Sequence, residues 1–133
     1  MSRENVEMVR QAYEASNRED LQWFLDRCAP DVELRPNVGF ADLDELYRGR
    51  EGVAAWYRNW REAWDSLSYR VERLEDFDDR VLVLVRVSGK GRDSGVVVED
   101  RRGHLFDIEA GLFARFQSFA TWDEALEAVG LRE

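Results

Sequence analysis

The sequence holds one cysteine, Cys28, so no intramolecular disulfide can staple the chain, and a buried thiol in a reducing compartment is the expectation. Histidine is equally scarce. With His104 and Cys28 as single representatives, a zinc site of the usual ligands is excluded, and no metal is expected. No glycine-rich phosphate loop follows a strand pattern, so no nucleotide cofactor, or any other, is implied. No apolar run approaches the roughly 18 residues of a membrane span, and no basic segment precedes an apolar one as in a signal peptide. Positive charge is in deficit, with 19 basic against 28 acidic residues and a net charge of −9. That balance repels nucleic acid and anionic membranes. A cytoplasmic protein is expected, with a small neutral or apolar molecule or another subunit as its partner.

What the sequence does hold is aromatic. Val53, Trp56, Tyr57, Trp60 and Trp64 follow one another at i, i+3, i+4, i+7 and i+11, a stripe along one face of a helix. Arg50, Glu51, Arg58, Arg61 and Glu62 fall mostly off it, and Glu51 lies in the first turn, where a negative charge suits the helix dipole. Such a stripe needs a concave apolar partner, and its indole and phenol groups call for hydrogen-bond partners when buried.

At 133 residues a single domain with a sizeable core is expected. Ser2 reads as the N-cap of a first helix that buries Val6, Val9, Ala12, Tyr13 and Ser16 and ends near Asn17. Asp20 caps a short second helix carrying Leu21, Phe24, Leu25 and Cys28 inward, stopped by Pro30. Val32 and Leu34 make a short strand closed by Pro36, and the acidic segment Asn37 to Tyr47 reads as a rim or lid.

Beyond Trp64 the period drops from 3.6 to 2. Leu67, Tyr69 and Val71 form one face of a strand, and Val81, Val83, Val85 and Val87 one face of the next. Gly89, Gly91 and Gly95 mark a long hairpin turn, Val96 to Phe106 continues as a strand, and Glu109-Ala110-Gly111 turns into a last strand from Leu112 to Phe119. Thr121 with Glu124 matches a capping box at the start of a helix from Trp122 to Val129, and Gly130 suits its C′ position. Helices followed by four antiparallel strands make an α+β domain.

Three stretches together resemble the SnoaL-like polyketide cyclase family of the nuclear transport factor 2-like (cystatin-like, ketosteroid isomerase-related) superfamily. They are Tyr13 through Glu33, Tyr47-Arg-Gly-Arg-Glu-Gly-Val to Trp56-Tyr57, and His104 to Gly111 with the strand after it. The resemblance implies a strongly curved antiparallel sheet wrapped around helices, a cone-shaped pocket and a homodimer formed through the outer sheet faces. It does not carry the isomerase machinery across. The catalytic tyrosine position falls on Ala12, the base on Arg35 or Pro36, and the protonated acid on Gly103, leaving Tyr57 as a supporting phenol. The carboxylate that related cyclases and epoxide hydrolases place near the end of the last strand falls on Thr121, where a cap explains the residue.

On the isomerase register, His104 lies on the outer, subunit-facing side, and Gly103, Leu105 and Asp107 face the pocket together with Glu99 and Arg101. Leu82, Leu84, Val96, Val98, His104 and Phe106 then form an apolar outer face for the dimer. The expected catalytic candidates are Asp107, Glu99 and His104. The expected ligand contacts are Tyr13, Val53, Trp56, Tyr57, Trp60, Val83, Val85, Arg101, Leu105, Phe116 and Ser118. Two functions stay open: cofactor-free isomerase, cyclase or hydrolase chemistry on a mostly apolar, polyketide-like molecule, or a non-catalytic ligand-binding or dimerisation module of the same fold.

Overall fold

The structure, a computed structural model, describes residues 2–130. Helix α1 spans Ser2–Asn17, and its buried positions Val9, Ala12 and Tyr13 recur at helical spacing. The side chain of Ser2, expected as its cap, lies outside the described side chains. Glu19 takes the left-handed conformation (φ 59°) that ends α1, and its carboxylate meets Arg61 at 3.1 Å. Asp20 caps the short helix α2 (Leu21–Leu25) by accepting from the Trp23 N–H.

Strand β1 runs Cys28–Val38, longer than the alternation of Val32 and Leu34 alone indicates, and it contains both prolines. Cys28 therefore belongs to a strand and not to the second helix. The prolines are tolerated because β2 (Tyr47–Arg48) pairs only with Glu33 and Leu34, leaving most of this flank free of ladder hydrogen bonds. Helix α3 covers Gly49–Glu62. Trp64, expected at its end, instead opens strand β3 (Trp64–Asp76), yet its ring still meets that of Trp60 edge-on, centroids 5.3 Å apart.

Strands β4 (Arg80–Gly91), β5 (Val97–Glu109) and β6 (Leu112–Phe119) complete an antiparallel meander with β3. Ala110 and Gly111, both at positive φ, form the tight turn before β6. The first long strand lies parallel to the last, giving the order β2-β1-β6-β5-β4-β3 in a curved, unclosed sheet.

Both faces of the sheet carry apolar contacts. The concave face packs Val81, Val83, Val85, Phe106, Ile108 and Phe113 against α1 and α3. Full burial of each valine contributes about 1.5–3 kcal/mol. The opposite face packs Leu82, Leu105 and Phe119 beneath α4 (Trp122–Ala128), with Trp122, Ala125 and Leu126 as the covering residues. Thr121 caps α4, its hydroxyl accepting from the Glu124 N–H at 3.1 Å. Gly103 lets this helix approach: a Cβ there would stand 2.6 Å from that of Ala125.

The apolar outer surface expected to make a homodimer is not formed. Leu82 is covered by the chain's own α4, whereas His104 and Phe106 belong to the concave side. The outer face of β3–β5 carries Glu72, Arg86, Glu99 and Arg101 in one ion-paired cluster. Among the described residues no helix is long and apolar enough to cross a membrane.

Candidate functional site

Between α1, α3 and the concave face of the sheet lies a cavity of about 200 Å³. Helix α1 contributes Ala12, Tyr13 and Ser16, and α3 contributes Val53, Trp56, Tyr57 and Trp60. Their 3.6-residue spacing turns one stripe inward, and Trp56 stacks on Trp60 with the planes 12° apart. From the sheet come Tyr69, Val87, Val98, Asp100, Arg102, His104, Phe106, Phe116 and Ser118. The wall is mostly aromatic and aliphatic, with few polar atoms.

The deepest polar feature joins the first helix to the third long strand of the meander. The Tyr13 hydroxyl and His104 Nδ1 are hydrogen-bonded at 2.7 Å, both residues buried. Phe116 meets the imidazole edge-on at 4.8 Å between centroids. Burial, reinforced by the nearby Arg102 charge, pushes His104 down to about 3, so the ring is neutral at physiological pH. Burial also raises the Tyr13 phenol well above its ordinary value. His104 Nε2 has no partner among the described residues and is not sealed by protein, which leaves it as the ring nitrogen that a molecule in the cavity can reach.

A second phenol, Tyr69, accepts from Trp60 Nε1 at 2.8 Å and is pushed up to about 12 by burial. Asn17 holds Tyr69 in place with a two-point clasp, donating to its carbonyl at 2.8 Å and accepting from its N–H at 2.7 Å. Three enclosed donors lack partners among the described residues: the Tyr57 hydroxyl, Arg61 Nε and Trp64 Nε1. Burial raises the Tyr57 phenol, and Ser16 offsets this in part, but their contact falls outside hydrogen-bond geometry.

At the exposed side stand Asp20, Asn37, Asp100 and Arg102. Arg102 Nε donates to the Phe119 carbonyl at 3.0 Å and Nη2 to the Pro36 carbonyl at 3.1 Å, while the guanidinium rests 5.2 Å from the Phe40 ring centre. These contacts tie the start of the Asn37–Tyr47 segment to β5 and β6. Asp44 anchors the same segment to Arg35 and the Gly39 N–H, interactions that hold its carboxyl below the usual range.

The expected site residues divide sharply. Tyr13, Val53, Trp56, Tyr57, Trp60, Phe116, Ser118 and His104 line the cavity. Glu99, Arg101, Leu105 and Asp107 do not, because β5 has the opposite parity to that expected. Its register pairs Val83 with His104 and Val85 with Arg102, so the inward face of β4 shares a side with Asp100, Arg102, His104 and Phe106. Leu105 packs under α4, Asp107 is held between Arg80 and Arg115, and Glu99 pairs with Arg86 outside. Arg101 pairs there with Glu72. Val83 and Val85 do face inward, but they lie in closed core rather than on the cavity wall. Asp107, Glu99 and Arg101 thus lie off the wall of this cavity. Asp100 and Arg102 are among the wall residues that sequence reasoning missed. The available signal was the two-residue spacing of Asp100, Arg102 and His104 along one strand.

The SnoaL-like domain model matches residues 9–116, more than half of the chain. No curated protein matches by sequence. Among solved structures, an NTF2-like protein of unknown function from Burkholderia pseudomallei K96243 superposes with a TM-score of 0.80 at 23% identity, over 93% of this chain and 95% of that one. A protein from Jannaschia sp. CCS1 described as a SnoaL-like polyketide cyclase gives 0.79 at 19% identity, over 89% and 85%. TerC, co-crystallised with polyporic acid, gives 0.78 at 18%, over 89% and 92%. At these identities the likeness is one of fold.

Proposed function

From the premise that the chain belongs to the SnoaL-like domain family, we propose that it encloses a small, planar, largely apolar organic molecule in the cavity between α1, α3 and the sheet. The observation that carries this reading is unfilled space of about 200 Å³ among aromatic side chains. Ordinary interiors pack to crystal density and leave no such volume. The stacked Trp56 and Trp60 favour a flat partner. The fold shared with the Jannaschia protein and with TerC supports a small organic ligand of this kind.

The chemistry open to such a molecule is set by His104. An imidazole lowered to about 3 is a poor base near neutrality. In the tautomer in which the Tyr13 hydroxyl donates to Nδ1, Nε2 carries the proton and would present it to the cavity, polarising a carbonyl as a neutral donor. Proton transfer or ring closure would then be assisted by charge stabilisation at oxygen.

Thermal-shift and tryptophan-fluorescence titration against planar aromatic carbonyl compounds tests the reading. Stabilisation should follow RT ln(1 + [L]/Kd), about 2.7 kcal/mol at a hundredfold excess. No shift with any member of such a panel would refute it.

A further inference from the structure

Arg102 is the one arginine or lysine among the described residues that line the cavity. It is half-buried, and no carboxylate stands within ion-pair distance of it among the described residues. Its protein hydrogen bonds all go to neutral carbonyls, those of Phe119, Pro36 and, at 3.5 Å, Ser118. Asp100, two residues back on the same face, instead accepts from the Arg101 N–H. Partial burial of a guanidinium with no carboxylate in direct contact is unfavourable, and burial lowers its hold on the proton against the opposing, longer-range charges of Asp100 and Glu124.

The geometry fixes two of the three nitrogens and leaves the third. Nε and Nη2 are taken by carbonyls, and the Phe40 ring backs the plane. Nη1 has no protein partner and is not enclosed as an orphan atom, so it remains open. A guanidinium held rigidly with a free donor beside an apolar cavity is preorganised for an anion. Resting on the proposed ligand-binding reading of this cavity, we infer that the ligand carries an ionised oxygen, a carboxylate or an enolate or phenolate oxygen, and that Arg102 Nη1 binds it. The anion would sit at the rim, with the aromatic body reaching past Ser118 toward His104. Successive inward residues of a strand are about 7 Å apart, the scale of one fused ring pair.

The test compares two probes of equal shape, 2-naphthoate and 2-naphthamide, by quenching of tryptophan fluorescence in the full chain. A charge-assisted hydrogen bond should favour the acid by roughly ten- to a hundredfold. The preference should fall with added salt and vanish in Arg102→Gln, while the amide's affinity changes little. The acid-to-amide ratio is read within each variant, so a structural loosening that affects both probes cancels. If Arg102→Gln does not fold, the wild-type ratio and its salt dependence decide the matter. Equal binding of both probes, or a preference that persists in Arg102→Gln, would overturn this inference and leave the cavity reading standing. Binding of neither would overturn both.

Discussion

The Tyr13 hydroxyl and His104 Nδ1 meet at 2.7 Å across 91 residues of sequence, joining the first helix to the sheet at the bottom of the cavity. Each group satisfies the other where no water is needed. Tyr13→Phe keeps the ring's packing but leaves Nδ1 without its partner. It should destabilise the fold by about 1–3 kcal/mol in urea melts. A change within a few tenths of a kcal/mol would mean that the bond is not maintained in solution.

The same pair gives stability a pH dependence of definite sign. His104 is held at about 3 in the fold and titrates near 6.5 when unfolded. Between these values the unfolded chain takes up a proton that the folded chain refuses, so stability is fully present above about 6.5 and is lost as pH falls toward 3. Between pH 7 and 5, before most carboxylates titrate, the loss should be about 2 kcal/mol. His104 is the sole histidine. Denaturant melts of His104→Asn should therefore show a much flatter profile over that window.

Close approach of α4 depends on Gly103. A Cβ there would fall 2.6 Å from the Ala125 Cβ and 2.9 Å from the Thr121 carbonyl, atoms that move only with the helix. Gly103→Ala should cost about 1–3 kcal/mol by overpacking. Thr121→Ala, which removes only the cap, should cost about 1 kcal/mol, and Thr121→Asp should be close to neutral. Comparing the three melting curves separates packing from capping.

Trp56 stacks on Trp60 in the cavity wall, whereas Trp23 lies against Arg27 away from the cavity. Trp56→Ala should weaken 2-naphthamide binding by about tenfold or more, the loss of one large apolar contact surface. Trp23→Ala should leave it nearly unchanged. Isothermal titration of both variants would read the difference directly.

How far the sequence carries depends on whether one face of an element is chemically distinct. The α3 stripe and the Thr121 cap are legible because apolar spacing and side-chain chemistry leave one arrangement. Trp64 breaks the stripe's end because β3 begins there, although its ring keeps company with Trp60. Strand β5 is different. Val98, Asp100, Arg102 and His104 alternate with Val97, Glu99, Arg101 and Gly103, two series of similar polarity. Its far half is buried on both sides, inside against α1 and outside beneath α4. No periodicity distinguishes the faces, and the hairpin register alone decides. A shift of one residue turns Asp100, Arg102 and His104 inward and takes Glu99, Arg101 and Asp107 off the cavity wall.

The parallel pairing of β1 with β6, from Cys28 beside Phe113 to Val38 beside Phe119, sets a schedule for folding. Strands β3 to β6 are joined by short turns and can zip sequentially, each hairpin closing on the one before. Strand β1 has no long partner until the last strand has been made. Emerging from a ribosome, the N-terminal segment would wait through most of synthesis with Val32 and Leu34 uncovered, and its docking would close the longest loop in the sheet. The wall holding Leu34 and Pro36 is thus the last part of the cavity to assemble. A nascent chain arrested before Phe113 would be expected to hold the β3–β5 hairpins but no enclosed site, leaving it a client for chaperones.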